Sequence, residues 1–182
     1  MHFGASIPVP GTVRCSPNPT LIGELDGTMS ERVGRIARAL EHGGLRTEID
    51  PHIRDAVWSK LLGNIATNPL STLCGATLDR LFNEPALMAI VRAQMAEALT
   101  VGAACGVRFE QDLDERIDIG RELGAFRTSM LQDFQAGCRL ELAGIADTVL
   151  ELADRFGVPM PVTRMVVALA READRNKQPA KG

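Results

Sequence analysis

The sequence predicts a mainly α-helical domain, a helical bundle preceded by a short two-stranded β element. After Gly27, apolar residues recur at intervals of three and four over most of the chain. Helix start signals, Ser30, Asp50-Pro51 and Glu84-Pro85, stand just ahead of such runs. Strand-like text is concentrated at the beginning, in GTVRCSPNPTLIGELDG.

Within that opening segment, Thr12 to Cys15 and Leu21 to Leu25 are separated by Ser16-Pro17-Asn18-Pro19, which predicts a β-hairpin or two neighbouring strands. Two strands alone are marginal in water, so the pair reads as the edge of a larger sheet. Ser30 then caps a helix whose core face is Val33, Ile36, Ala37 and Leu40 and which stops at Gly43-Gly44, followed by a short extended piece, Leu45 to Ile49. Asp50-Pro51 opens a helix running to about Asn68-Pro69, with the proline in the first turn, where its missing N–H costs nothing. Glu84-Pro85 opens another, Leu87 to about Ala104, ended by Gly106. Further helices are expected over 112–123, 140–156 and 161–175.

The 182 residues suffice for one domain, or one domain and a fragment of another, and 45% hydrophobic residues can bury a core. Net charge is −3 with Lys and Arg scattered among Asp and Glu, which argues against nucleic acid as a partner. The longest strictly apolar run, Met165 to Ala170, falls far short of the roughly 18 residues of a membrane span, and no basic-then-apolar leader opens the chain, so a cytoplasmic protein with no membrane partner is expected. Cys15, Cys74, Cys105 and Cys138 form no C-x-x-C pair and the three histidines complete no ligand spacing. The expectation is reduced, core-buried thiols and no metal.

Lys60, Asn64 and Asn68 are spaced by four, and at about 100° per residue they make one polar stripe, with Trp58, Leu61, Leu62 and Ile65 opposite. Asparagine competes with helix hydrogen bonds, so two in line with a lysine suit a bound polar ligand; a solvated lysine and asparagines near a helix end fit the spacing too. Ser129 precedes an apolar turn and could be a helix cap with Asp133 nearby, and Glu141 could be a first-turn acid favoured by the helix dipole.

The segments WSKLLGNIATNPLSTLCGATL, RTSMLQD, LELAGI and LADRFGVPMPVT, in this order, resemble the C-terminal half of ketopantoate reductases (2-dehydropantoate 2-reductases), and GTVRCSPNPTLIGELDG resembles the last strands of their N-terminal domain. The resemblance implies a helical domain like the C-terminal domain of 6-phosphogluconate dehydrogenase, and an NADPH-dependent reduction of 2-dehydropantoate to pantoate on the way to coenzyme A. By motif position it makes Lys60 the catalytic proton donor, Asn64, Asn68 and Ser129 substrate-binding residues, and Glu141 a contact to the cofactor's ribose side. It divides the chain into 1–28, residual strands of a truncated nucleotide-binding domain; 29–175, the helical substrate-side domain; and 176–182, a tail without an apolar anchor and expected to be disordered.

Two departures qualify the likeness. Where the family often has another polar contact after N-P-L, Gly75-Ala76-Thr77-Leu78 offers only Thr77, which leaves room for a different branched 2-oxo acid. No G-x-G occurs and no βαβ unit is expected, so the chain alone should bind no NADPH. The competing expectation is a stand-alone, non-enzymatic helical binding or dimerisation module. In either case exposed apolar positions around Val13, Leu21, Ile22 and Leu25 favour a homo-oligomer.

Overall fold

Strand propensity at the start of the chain is realised in two separate pairs. The computed structural model describes residues 5–15 and 19–177, and the chain divides into two compact units, 1–60 and 61–182. In the first unit β1 (Ala5–Val9) and β2 (Thr12–Cys15) form an antiparallel hairpin. Its turn contains Gly11 at φ 84°, a conformation that strains any residue bearing a Cβ. β3 (Thr20–Ile22) pairs in parallel with β4 (Thr47–Ile49). The expected partnership of 12–15 with 21–25 is thus corrected: β2 closes on the strand just before it, and β3 takes the Leu45–Ile49 piece as its neighbour.

A parallel pair needs a crossover, and α1 (Glu31–His42) supplies it. Ser30 caps α1, its hydroxyl accepting from the Val33 N–H at 3.1 Å, and the helix turns Val33 and Ala37 into the core, while Ile36 stays exposed. β3–α1–β4 is therefore a βαβ unit, contrary to the expectation that the chain has none. Gly23 ends β3 where the backbone of 50–53 comes close: a Cβ there would lie 2.2 Å from the Asp50 oxygen and 2.7 Å from the Ile53 Cβ. Val13 and Leu25 are exposed and Leu21 and Ile22 half-buried.

α2 (Ile53–Cys74) runs across the boundary of the two units. It does not stop at Asn68-Pro69 but carries Pro69 in its interior, with Leu62, Ile65, Ala66 and Leu70 buried on one side. The second unit continues with α3 (Leu78–Asn83), which the periodicity did not reveal, then α4 (Pro85–Ala104) and α5 (Leu113–Glu122). Asp112 and Glu115 close a capping box at the start of α5. Gly120 of α5 lets the Phe82 ring of α3 lie against the helix, since a Cβ would come within 2.3 Å of that ring. α6 (Ser129–Gln135), a π-helical turn (Ala143–Asp147), α7 (Thr148–Phe156) and α8 (Pro161–Lys177) complete it. α4 is central, packing on α3, α5, α7 and α8.

Three further expectations are adjusted. Asn176 and Lys177 belong to α8, because the Lys177 ammonium lies 4.0 Å over the Phe134 ring and donates to the Phe134 carbonyl; this cationic anchor extends the helix where an apolar one is lacking. The rest of the expected tail, 178–182, lies outside the described residues. Cys74 and Cys138 are exposed and Cys105 is half-buried, so none of these three is a core thiol. α4 is long and apolar enough to cross a membrane by length and composition. Its polar residues nevertheless bind neighbouring helices on several sides: Arg92 pairs with Asp114, Gln94 reaches Ala66, and Glu97 reaches Val162 and Thr163. That pattern is of a core helix.

Candidate functional site

The polar stripe predicted from spacing is present, on α2. Lys60 and Asn64 are half-buried and Asn68 is buried at 3% exposure, so the stripe sinks into the protein toward the C-terminal end of the helix. Burying an amide costs free energy unless its polar atoms are matched. Two threonines beside it solve the same problem internally: Thr67 donates to the Gly63 carbonyl at 2.8 Å and Thr72 to the Asn68 carbonyl at 2.9 Å. Together with Ser71 they extend the polar character of α2 well past the three residues read from the sequence. Their spacing was visible there; their significance was not, because threonine and serine in a helix are ordinarily spent on such back-bonds.

The segment carrying Ser129 is brought against α2 by a relay of hydroxyls. The Leu131 N–H donates to Thr128 Oγ1 (3.2 Å), Thr128 Oγ1 donates to Ser71 Oγ (3.1 Å), and Ser71 Oγ donates to the Ala76 carbonyl (2.8 Å). Each hydroxyl gives one bond and receives one, so all three groups are satisfied without water. Ser71 lies one turn beyond Asn68. Thr128, not Ser129, is thus the cap of α6; Ser129 is the first helical residue and its side chain is exposed.

Glu141 is reached through the apolar side. Met130, next to Ser129, and Leu142, next to Glu141, share a buried cluster with Ala170, and Leu73 of α2, Leu140 and Ile145 pack on it. The backbone segments bearing Asn68, Ser129 and Glu141 therefore converge on one set of buried residues. Glu141 itself is exposed and stands two residues before the π-helical turn, a form found mostly as single turns and often at functional sites. Thr77, the polar residue left on the segment after N-P-L, precedes α3 and spends its hydroxyl on Asp79. Leu78, whose position suggested a widened substrate range, is buried in the core of the second unit.

The chain matches the family model described as "Ketopantoate reductase PanE/ApbA C terminal" over residues 52–174. The chain belongs to the ketopantoate reductase family. Curated 2-dehydropantoate 2-reductases align along most of it: that of Mesorhizobium japonicum is 35% identical over 94% of this chain and 53% of its own length, and that of Archaeoglobus fulgidus 30% identical over 84% and 51%. A solved structure described as a putative ketopantoate reductase from Ralstonia solanacearum superposes with a TM-score of 0.87 at 35% identity, covering 97% of this chain and 54% of that one. The chain thus spans about half the length of the ketopantoate reductases it matches, and the match is to their C-terminal, helical part.

The β3–α1–β4 unit has the arrangement in which βαβ units of other proteins meet a dinucleotide's pyrophosphate. The crossover helix α1 does present an N-terminus after a strand, the place where such units receive phosphate. Beside it stands the chain's own Glu24, whose carboxylate accepts from Arg32, including Nε at 3.1 Å, and from the hydroxyl of the cap residue Ser30. Those bonds, from Arg32 first and Ser30 second, hold the Glu24 carboxyl below the usual carboxylate range.

Proposed function

We propose that this chain is the substrate-side half of an NADPH-dependent 2-dehydropantoate 2-reductase, a cytoplasmic enzyme of pantoate formation. The observation that carries the reading is Lys60, Asn64 and Asn68 at steps of four on α2, within the stretch matched to the family. NADPH supplies the hydride in this reading, held chiefly by a nucleotide-binding half, with Glu141 touching its ribose side. Hydride arriving at the ketone carbon leaves negative charge on oxygen. The Lys60 ammonium stabilises that charge and delivers the proton that makes the alcohol. Asn64 and Asn68 each offer one donor pair and one acceptor, enough to hold a ketone oxygen and a hydroxyl, and Ser129 binds the carboxylate end of the 2-oxo acid. Residues 1–28 are read as strands left from the nucleotide-binding half; β3 among them pairs with β4 at 47–49, and that two-stranded sheet is too small to stand alone. The exposed Val9, Val13, Leu25 and Met29 suit burial against a second copy or that other half.

Titrating the isotope-labelled chain with 2-dehydropantoate tests the substrate half of the proposal. Side-chain amide signals of Asn64 and Asn68 and the Ser129 backbone signal are expected to move together and saturate. Signals that stay fixed up to millimolar ligand, or movement confined to other helices, would overturn it. NADPH alone is expected to bind too weakly to measure; micromolar binding by calorimetry would refute the cofactor assignment.

A further inference from the structure

α2 carries its two asparagines through a weak point. Pro69 has no N–H for the Ile65 carbonyl, and its ring crowds that carbonyl, so an interior proline opens and bends the turn before it. Threonine back-bonds bend helices in the same way, and two of them, Thr67 to Gly63 and Thr72 to Asn68, bracket this turn. The angle between Asn64 and Asn68 is therefore not fixed by α2 itself.

It is fixed from outside. Gln94 of α4 is completely buried and its Nε2 donates to the Ala66 carbonyl at 3.0 Å, between the two asparagines and just ahead of Pro69. Only the Nε2 end of the amide can face a carbonyl, so the other end turns away, and no described residue donates to Oε1. A methionine would fill the same volume without burying that unmatched acceptor, so stability alone gives no reason for glutamine here. We infer that Gln94 is a positioning residue for the substrate site: through the Ala66 carbonyl it holds the opened turn of α2 and so sets Asn64 and Asn68 at the angle that lets both reach one ligand. The word substrate rests on the function proposed above; the hold on the turn does not.

Two variants test it in the 182-residue chain. Gln94→Met is expected to leave the melting temperature within about 3 °C of the unsubstituted chain. It should nonetheless move the side-chain amide signals of Asn64 and Asn68 and speed amide exchange in the turn 64–70 by about tenfold or more. Gln94→Glu places a carboxyl at the same spot, and burial should raise its pKa. While protonated it can donate to Ala66, so the asparagine signals should return to the unsubstituted positions at low pH and depart as the carboxyl ionises. Unchanged signals and exchange in Gln94→Met, or asparagine signals in Gln94→Glu that never approach the unsubstituted positions, would overturn the inference. Failure of 2-dehydropantoate to move Asn64 and Asn68 in the unsubstituted chain would remove the substrate reading instead, with the exchange result still deciding what Gln94 does.

Discussion

Glu97→Ala is expected to destabilise the second unit by about 3 kcal/mol, more than a typical single substitution. α8 begins at Pro161, and the residue before it is Met160, whose side chain has no oxygen to offer as a cap. The capping group comes instead from α4: the Glu97 carboxylate accepts the N–H groups of Val162 and Thr163 at 2.9 Å each and the Thr163 hydroxyl at 2.6 Å. Thr163 is completely buried, so its hydroxyl has no water to turn to when the carboxylate goes. Charge-assisted bonds of this kind are about twice as strong as neutral ones, and the negative charge also sits at the positive end of the helix. Glu97→Gln keeps one acceptor oxygen and should lose about half as much. Urea unfolding reads both as a fall in midpoint at unchanged slope. A loss below about 1 kcal/mol for Glu97→Ala would show that the cap is dispensable.

Lys60→Ala carries the largest expected effect on chemistry. With the chain joined to the N-terminal half of the Mesorhizobium japonicum relative, kcat for 2-dehydropantoate should fall about a hundredfold or more while KM changes little. In the proposed role the lysine is needed most when charge gathers on the ketone oxygen, and less for holding the uncharged ketone before that. Position supports the assignment, since Lys60 stands one turn ahead of Asn64 on the same helix. Turnover within about threefold of the unsubstituted hybrid, roughly 0.7 kcal/mol, would show that the proton comes from elsewhere.

What the sequence disclosed depended on how local each cause is. The start of α1 at Ser30, of α4 at Pro85 and of α5 near Asp112 follow from residues within one turn, and each is found at the expected place. The stripe Lys60, Asn64, Asn68 was legible for the same reason, since a single helix fixes it. Pro69 misled because its local cost of about 3 kcal/mol is outweighed by packing of a buried helix that no nearby residue announces. The pairing of β3 with β4 could not be read from Thr20 to Ile22, because the strand that completes it lies beyond α1. The cap of α8 was hidden for a like reason, its carboxylate being 65 residues away from Val162. Thr128 and Ser129 are both plausible caps by composition, and only the contact with Ser71 chooses between them. Convergence of Asn68, Ser129 and Glu141 rests on Leu73, Met130 and Leu142, apolar residues indistinguishable in the text from any others of the core.

The hydroxyl relay through Thr128 and Ser71 has a consequence for how the family can drift. A chain of O–H groups has a direction: each member hands its proton to the next and depends on the one before. Losing Ser71 alone strands the Thr128 proton, and losing Thr128 strands the Leu131 N–H whatever stands at 71; once Thr128 is gone, however, loss of Ser71 strands no hydroxyl proton. Interaction of this kind makes the two changes strongly non-additive. Positions 71 and 128, 57 residues apart in sequence, are therefore expected to be coupled in inheritance, a hydroxyl at 128 being accompanied by one at 71 among ketopantoate reductases.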